Sequence, residues 1–429
     1  MNDYDSAKLS SLLKENGYSI VETPQEADFI IVNTCSVRKT AEDRALAFLS
    51  SQKPLKKEGK KLCLFGCSAS LYREKLFKKY PFIDIICSPD NYKNVPNIFK
   101  TSKKGCYVEE NLHPFLETTP LSDKTLSALV TVTKGCENFC SYCVVPFTRG
   151  KLISRQPEEI LNEIKKLTEN GINEIILLGQ NVNEYGKDIG TTFIDLLKKI
   201  DSMEGVARIS FTTSHPKDIS DELLALFAQL PKLYKHLHLP FQSGSNKILK
   251  LMNRKYTIEQ YLGIIKKARD MYPQITITSD IIVGFPGEDE KDFQDTSQIV
   301  KTVEFDDLFI FKYSARPGTV AALMKETVTS TEKEARHKFL ISLQNEISCK
   351  KNQGYIGETL SVFLRNISEK KNGVLIGRTI TNKPVFVKSS KNNLGKVCQV
   401  KITDAHRMYL LGDCCDANRN EKILSEPQV

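Results

Sequence analysis

Between about residues 125 and 345 the sequence alternates six short apolar runs with helical stretches, and this repeat limits the possible folds more than any other feature. The runs span 126–133, 174–178, 207–212, 236–239, 275–283 and 307–313. Apolar strands separated by helices build a parallel sheet covered by those helices. The stretch 156–170 shows the helical grammar. Pro157 starts it, Glu158 and Glu159 fill the first turn, Ile160, Leu161, Ile164 and Leu167 form one stripe, and Gly171 ends it. Six such units predict a partial (β/α)6 barrel with its working loops at the strand C-terminal ends.

The flanks differ from this core. Residues 1–105 read as a separate N-terminal parallel α/β domain, with strands at 27–33 and 61–66 and helices at 4–16 and 37–50. Residues 106–124, with Pro114, Pro120 and the polar run Glu117-Thr118-Thr119, read as a linker. Within 347–412, short runs at 359–364, 374–378, 384–387 and 396–402 are punctuated by Gly373, Gly377 and Asn382, which predicts a small antiparallel β-barrel. Residues 413–429 read as a polar tail.

Charge separates the regions too. Residues 349–412 carry 12 Lys and Arg against 3 Asp and Glu, which accounts for the whole net charge of +9. A basic module on a neutral body predicts a polyanion partner such as RNA, with a solvated Lys-rich surface as the alternative. No run of 18 uncharged apolar residues occurs, and the first residues lack the basic-then-apolar order of a secretory signal. The expectation is a cytoplasmic monomer with no membrane contact.

Cysteine is the chemically telling residue. Of twelve, Cys136, Cys140 and Cys143 form C-x3-C-x2-C directly after the first barrel strand. Structural zinc takes four protein ligands. No fourth Cys or His stands nearby, and His113 is 23 positions upstream across the linker. Three thiolates suit a [4Fe–4S] cluster with one iron left open for a small chelating ligand. His215 and His238 are read as structural rather than as general bases.

The run Thr133-Lys134-Gly135-Cys136-Glu137-Asn138-Phe139-Cys140-Ser141-Tyr142-Cys143-Val144-Val145-Pro146-Phe147-Thr148-Arg149-Gly150 resembles the methylthiotransferase family of radical S-adenosylmethionine (SAM) enzymes. Within it, the sequence is most similar to the branch that acts on N6-isopentenyladenosine at position 37 of the tRNA anticodon loop. Leu178-Gly179-Gln180-Asn181-Val182-Asn183, Thr213-Ser214-His215-Pro216, Leu239-Pro240-Phe241-Gln242-Ser243-Gly244-Ser245 and Ile282-Val283-Gly284-Phe285-Pro286-Gly287-Glu288 extend the resemblance over nearly the whole chain.

The resemblance implies methylthiolation of C2 of that adenine, with SAM bound at the open iron and cleaved to a 5′-deoxyadenosyl radical. It implies two [4Fe–4S] clusters, a sulfur source, an electron donor such as a flavodoxin or ferredoxin, and an RNA-binding TRAM-like domain at 347–412. Candidate SAM contacts are Gly179, Gln180, Asn181, Thr213, Ser214, Gln242, Ser243, Gly284, Gly287 and Glu288. Other readings are a methylthiotransferase for threonylcarbamoyladenosine tRNA or a ribosomal protein, and an RNA-binding protein with an impaired cluster domain.

Cys35 in Asn33-Thr34-Cys35-Ser36 and Cys67 in Phe65-Gly66-Cys67-Ser68 each end a strand. Taken alone they are either two thiols meeting at a sheet edge or two buried small hydrophobes. The resemblance makes them ligands of an auxiliary cluster whose third cysteine lies in a Gly-Cys-x-Met-Asn motif. Met1-Asn2 matches the end of that motif, so the cysteine and the strand leading to it would precede Met1. The expectation is an upstream start, with the present form holding one cluster firmly and cleaving SAM without completing methylthiolation. The alternative is a true short form whose auxiliary cluster is impaired or rearranged, with Cys63, in mid-strand, as a conceivable substitute ligand.

Overall fold

The computed structural model describes residues 1–108, 115–120, 125–369 and 371–415. His113 and Pro114, and the tail beyond residue 415, lie outside the described residues. The chain begins with helix Asn2–Glu15, followed by strands β1 (Phe29–Thr34), β2 (Lys61–Gly66), β3 (Ile85–Cys87) and β4 (Gly105–Tyr107). These pair in parallel in the order β1-β2-β3-β4. Helices Lys39–Ser51 and Cys67–Tyr72 follow the first two strands.

β2 has the predicted bounds and is buried along almost its full length. β1, read as a strand over 27–33, is only half-buried because it forms the edge of the sheet. β4 extends the first domain into the segment read as linker. Thr118, from the same segment, is buried against Lys8, whose ammonium donates to its carbonyl.

The barrel strands are β5 (Ser127–Thr131), β8 (Glu174–Leu178), β9 (Arg208–Phe211), β10 (His236–His238), β11 (Thr276–Val283) and β12 (Asp307–Lys312). They form two parallel three-stranded sheets, β5-β8-β9 and β10-β11-β12. The short pair β6 (Thr133–Lys134) and β7 (Ile153–Ser154) is antiparallel and brackets the cysteine loop. Helix Pro157–Glu169 lays Ile160, Ile164 and Leu167 into the barrel core, as its stripe predicted.

The C-terminal module follows helix Ser330–Gln353. Its strands are β13 (Thr359–Ile367), β14 (Val374–Thr379), β15 (Pro384–Lys388), β16 (Val397–Ala405) and β17 (Leu410–Cys414), closed in the order β13-β14-β15-β17-β16. All its pairs are antiparallel except β15 with β17. The turn between β14 and β15 meets the strand N-terminal ends of the large barrel. There Lys383 pairs with Asp306 at 2.8 Å, and Asn382 meets His236 at 3.1 Å.

Candidate active site

Both cysteine loops open on a glycine that no other residue could replace without strain. Gly135 has φ +78°, and a Cβ there would collide with the Lys151 carbonyl. Its N–H donates to Gln180 Oε1 at 2.6 Å, and the Cys136 N–H donates to the Gly150 carbonyl at 3.2 Å. Gly66 has φ +93°, and a Cβ there would run into Asn33 Oδ1 and the Thr34 backbone. Thr34 and Gly66 are register partners, so Cys35 and Cys67 leave one sheet edge side by side.

The loop carrying the triplet is gripped from the segment after helix Asn246–Leu251. The Ser141 N–H donates to the Met252 carbonyl at 3.0 Å, Ser141 Oγ to the Leu251 carbonyl at 2.8 Å, and Asn253 Nδ2 to the Phe139 carbonyl at 2.8 Å. Phe139 and Asn253 both stand in the left-handed region, at φ 46° and 56°. Arg254 donates from Nη1 to Cys140 Sγ at 3.4 Å, and Asn138 Nδ2 donates to Cys136 Sγ at 3.3 Å.

The three thiols feel one another electrostatically. Burial pushes Cys143 up to about 12, and burial raises Cys136 against the hydrogen bonds of Asn138. Such thiols keep their protons unless a cation takes the proton's place, which is what metal coordination does. Among the described residues no three His, Cys, Asp or Glu converge tightly enough to chelate a single ion.

The N-terminal domain sits over this face of the barrel. Arg149, buried six residues after Cys143, donates from Nε to Cys67 Sγ at 3.2 Å and from Nη2 to Asp5 at 2.6 Å and Asn2 Oδ1 at 3.1 Å. Arg316 pairs with the fully buried Glu42 at 3.0 Å, and Lys134 pairs with Asp90. Cys63 is not a substitute ligand. Its thiol lies in the hydrophobic core with Phe65, Ile85 and Cys87, away from the edge that carries Cys35 and Cys67.

Because the strands within each barrel sheet are parallel, their exit loops share one side, and several expected SAM contacts gather there. A Cβ on Gly179 would strike Thr133 Oγ1, which presses this loop against the base of the cysteine loop. The Val182 N–H donates to the Thr213 carbonyl at 3.2 Å, joining the next loop. Thr213 and Gln242 hold φ of 73° and 69°, uncommon for non-glycine residues and typical of functional loops. Thr133 Oγ1, Asn181 Oδ1 and Ser214 Oγ are buried without a hydrogen-bond partner, as are both amide atoms of Asn183. Orphaned polar atoms on three adjoining loops fit a polar ligand.

Three further candidates have partners within the fold. Glu288 accepts from the Gly284 N–H at 2.9 Å and pairs with Arg336 at 2.7 Å, so its carboxylate joins the end of β11 to helix Ser330–Gln353. Ser243 faces Thr296 at 3.4 Å, and the Gly287 N–H donates to Thr327 Oγ1 at 2.9 Å. These are joints of the fold.

His215 is buried, accepts from the Lys217 N–H at 3.2 Å and is lowered to about 2, chiefly by burial. His238 contacts Thr278 Oγ1 at 2.9 Å and lines a cavity of about 420 Å³ at the seam with the C-terminal barrel. Thr213, Phe309, Arg378 and Arg407 also line that cavity. Sequence reasoning missed Arg149, Arg254 and Arg316, because a buried arginine looks like any solvated one until the fold brings its partner.

A parallel partial barrel with three cysteines on its first strand-end loop defines a radical SAM protein. The Radical SAM superfamily model matches residues 130–300, and a TRAM domain model matches 353–414. A model described as Uncharacterized protein family UPF0004 matches 1–88. A tRNA-2-methylthio-N(6)-dimethylallyladenosine synthase of Caldicellulosiruptor saccharolyticus is 44% identical over 424 residues, covering 96% of this chain and 90% of the relative. One of Clostridium botulinum (strain Hall) is 43% identical over 424 residues, covering 96% and 94%.

Among solved structures, the fold is similar to the radical SAM methyltransferase TsrM of Kitasatospora setae, with TM-score 0.55, 11% identity and coverage of 75% and 71%. It is also similar to the cobalamin-dependent radical SAM enzyme OxsB, with TM-score 0.52, 14% identity and coverage of 75% and 52%. The chain belongs to the family of tRNA-2-methylthio-N(6)-dimethylallyladenosine synthases. Among the described residues no helix is long and apolar enough to cross a membrane.

Proposed function

We propose that this chain is a radical SAM methylthiotransferase that modifies N6-dimethylallyladenosine in tRNA, at C2 of the adenine at position 37. The observation that carries the reading is the gripped loop of Cys136, Cys140 and Cys143 at the strand C-terminal ends, in a chain 43–44% identical over nearly its whole length to synthases of that name. Cys136, Cys140 and Cys143 would hold one [4Fe–4S] cluster, and Cys35 and Cys67 would serve an auxiliary one. The clusters supply one-electron chemistry that side chains lack.

The chain's own residues do the rest. Asn138 and Arg254 hold ligand sulfurs of the triplet. Arg149 ties Cys67 to the helix that follows the triplet. Thr133, Asn181, Asn183 and Ser214 offer unpaired polar atoms for SAM. The exposed lysines of the C-terminal barrel, Lys388, Lys391 and Lys396 among them, would contact tRNA phosphates, which gives affinity without base readout. A cytoplasmic monomer supplied by an external low-potential electron donor and a sulfur source completes the reading.

The test is Cys140→Ala. Loss of one thiolate abolishes SAM cleavage in the reconstituted protein. Production of 5′-deoxyadenosine at the parent rate by that variant refutes the assignment.

A further inference from the structure

The guanidinium of Arg254 is buried, yet among the described residues it makes no ion pair. Its partners are Cys140 Sγ at 3.4 Å from Nη1, the Tyr256 hydroxyl at 3.1 Å from Nε, and the Pro240 carbonyl at 2.9 Å from Nη2. A cation taken out of water needs negative charge close by, or its burial costs several kcal/mol. Of these three partners, only the sulfur becomes an anion, as a thiolate ligand to iron.

The side chain is also aimed with care. Met252 and Asn253, just before it, hold the loop at Ser141 and Phe139, so sulfur and guanidinium belong to two strands of chain already clamped together. Tyr256 adds a ring face, with the guanidinium carbon 5.1 Å from its centroid. Arg254 is thus held by groups that have nothing to do with sulfur, and the sulfur contact is an additional, directed one.

Resting on the reading of the triplet as a [4Fe–4S] site, we infer that Arg254 is a positioning residue that fixes Cys140 Sγ as a ligand and makes the site easier to reduce. Hydrogen bonds to ligand sulfur set the potential of iron–sulfur sites, and a fixed cation favours the state with one more negative charge. The step it assists is addition of one electron from a low-potential donor, dithionite in the test, with no bond made or broken.

The test is a redox titration followed by electron paramagnetic resonance on the full chain, reconstituted without oxygen. A Cys35→Ala/Cys67→Ala background leaves the triplet as the sole source of signal. Arg254→Gln is expected to shift the midpoint to a more negative potential. At the parent midpoint the ratio of reduced to oxidised site falls about tenfold, equivalent to ~59 mV for a one-electron couple. Arg254→Lys, which keeps the charge, recovers part of the shift.

Arg254→Gln titrating at the parent potential with full iron content overturns the inference. If Arg254→Gln fails to fold, Arg254→Lys decides: a smaller shift in the same direction supports the role, and none overturns it. A parent protein that binds no four-iron cluster at the triplet brings down the underlying reading as well. That outcome is seen before any Arg254 variant is made.

Discussion

Docking of the N-terminal domain onto the barrel is stabilised by Glu42, and Glu42→Ala should weaken it. Glu42 is 0% exposed and Arg316 4%, and the pair spans two domains at 3.0 Å. Glu42 also accepts from Ser68 Oγ at 3.0 Å, one residue from Cys67. Removing one partner of a buried pair leaves an uncompensated charge and costs about 3–5 kcal/mol. At about 1.4 kcal/mol per tenfold, the ratio of docked to undocked domain falls by about a hundred- to several-thousand-fold.

The assay is hydrogen exchange across helices Lys39–Ser51 and Cys67–Tyr72, with denaturant unfolding of the same variants. Exchange in both helices accelerates in Glu42→Ala, while the barrel strands keep their protection. Glu42→Leu combined with Arg316→Leu removes both charges and is more stable than either single variant. Single variants within about 1 kcal/mol of the parent, or a double variant as unstable as the sum of the singles, would refute the reasoning.

Two further outcomes follow from the same geometry. Replacing Lys388, Lys391 and Lys396 with Gln should weaken tRNA binding and flatten the plot of log affinity against log salt by about 2–3 units, at roughly 0.7–0.9 per lost phosphate contact; an unchanged slope contradicts the assigned surface. Burial holds His236 at about 3 and His215 at about 2, against an ordinary 6.5, so the unfolded chain takes up protons below pH 6.5 that the folded chain refuses. Stability therefore falls with pH on the acid side, by about 1.4 kcal/mol per histidine at pH 5.5; His236→Gln should lose about that much less than the parent between pH 7.5 and 5.5 in urea unfolding.

The legible parts of the sequence were those with local causes. β2 sits in the middle of its sheet, so its burial is continuous and its bounds could be read directly. β1 carries the same apolar run but lies at the edge, and nothing local distinguishes an edge strand from a central one. β17 escaped notice because it is short, carries Asp413, and is held by a parallel pairing with β15 and an antiparallel one with β16. The cysteine triplet announced itself by spacing. Its supports, Arg254 from 114 positions downstream and Gln180 from 45, did not. The Arg336 partner of Glu288, 48 positions downstream, was equally invisible, because a carboxylate after a strand looks the same in sequence whatever it meets.

The central claim concerns one atom of one nucleoside, and deletion of the gene in its source organism tests it most directly. tRNA from the deletion and parent strains is digested to nucleosides and separated by liquid chromatography with mass detection. The account predicts that 2-methylthio-N6-dimethylallyladenosine disappears, that N6-dimethylallyladenosine accumulates in its place, and that threonylcarbamoyladenosine derivatives stay unchanged. Persistence of the methylthio nucleoside, or loss of a methylthio group from threonylcarbamoyladenosine instead, would contradict it.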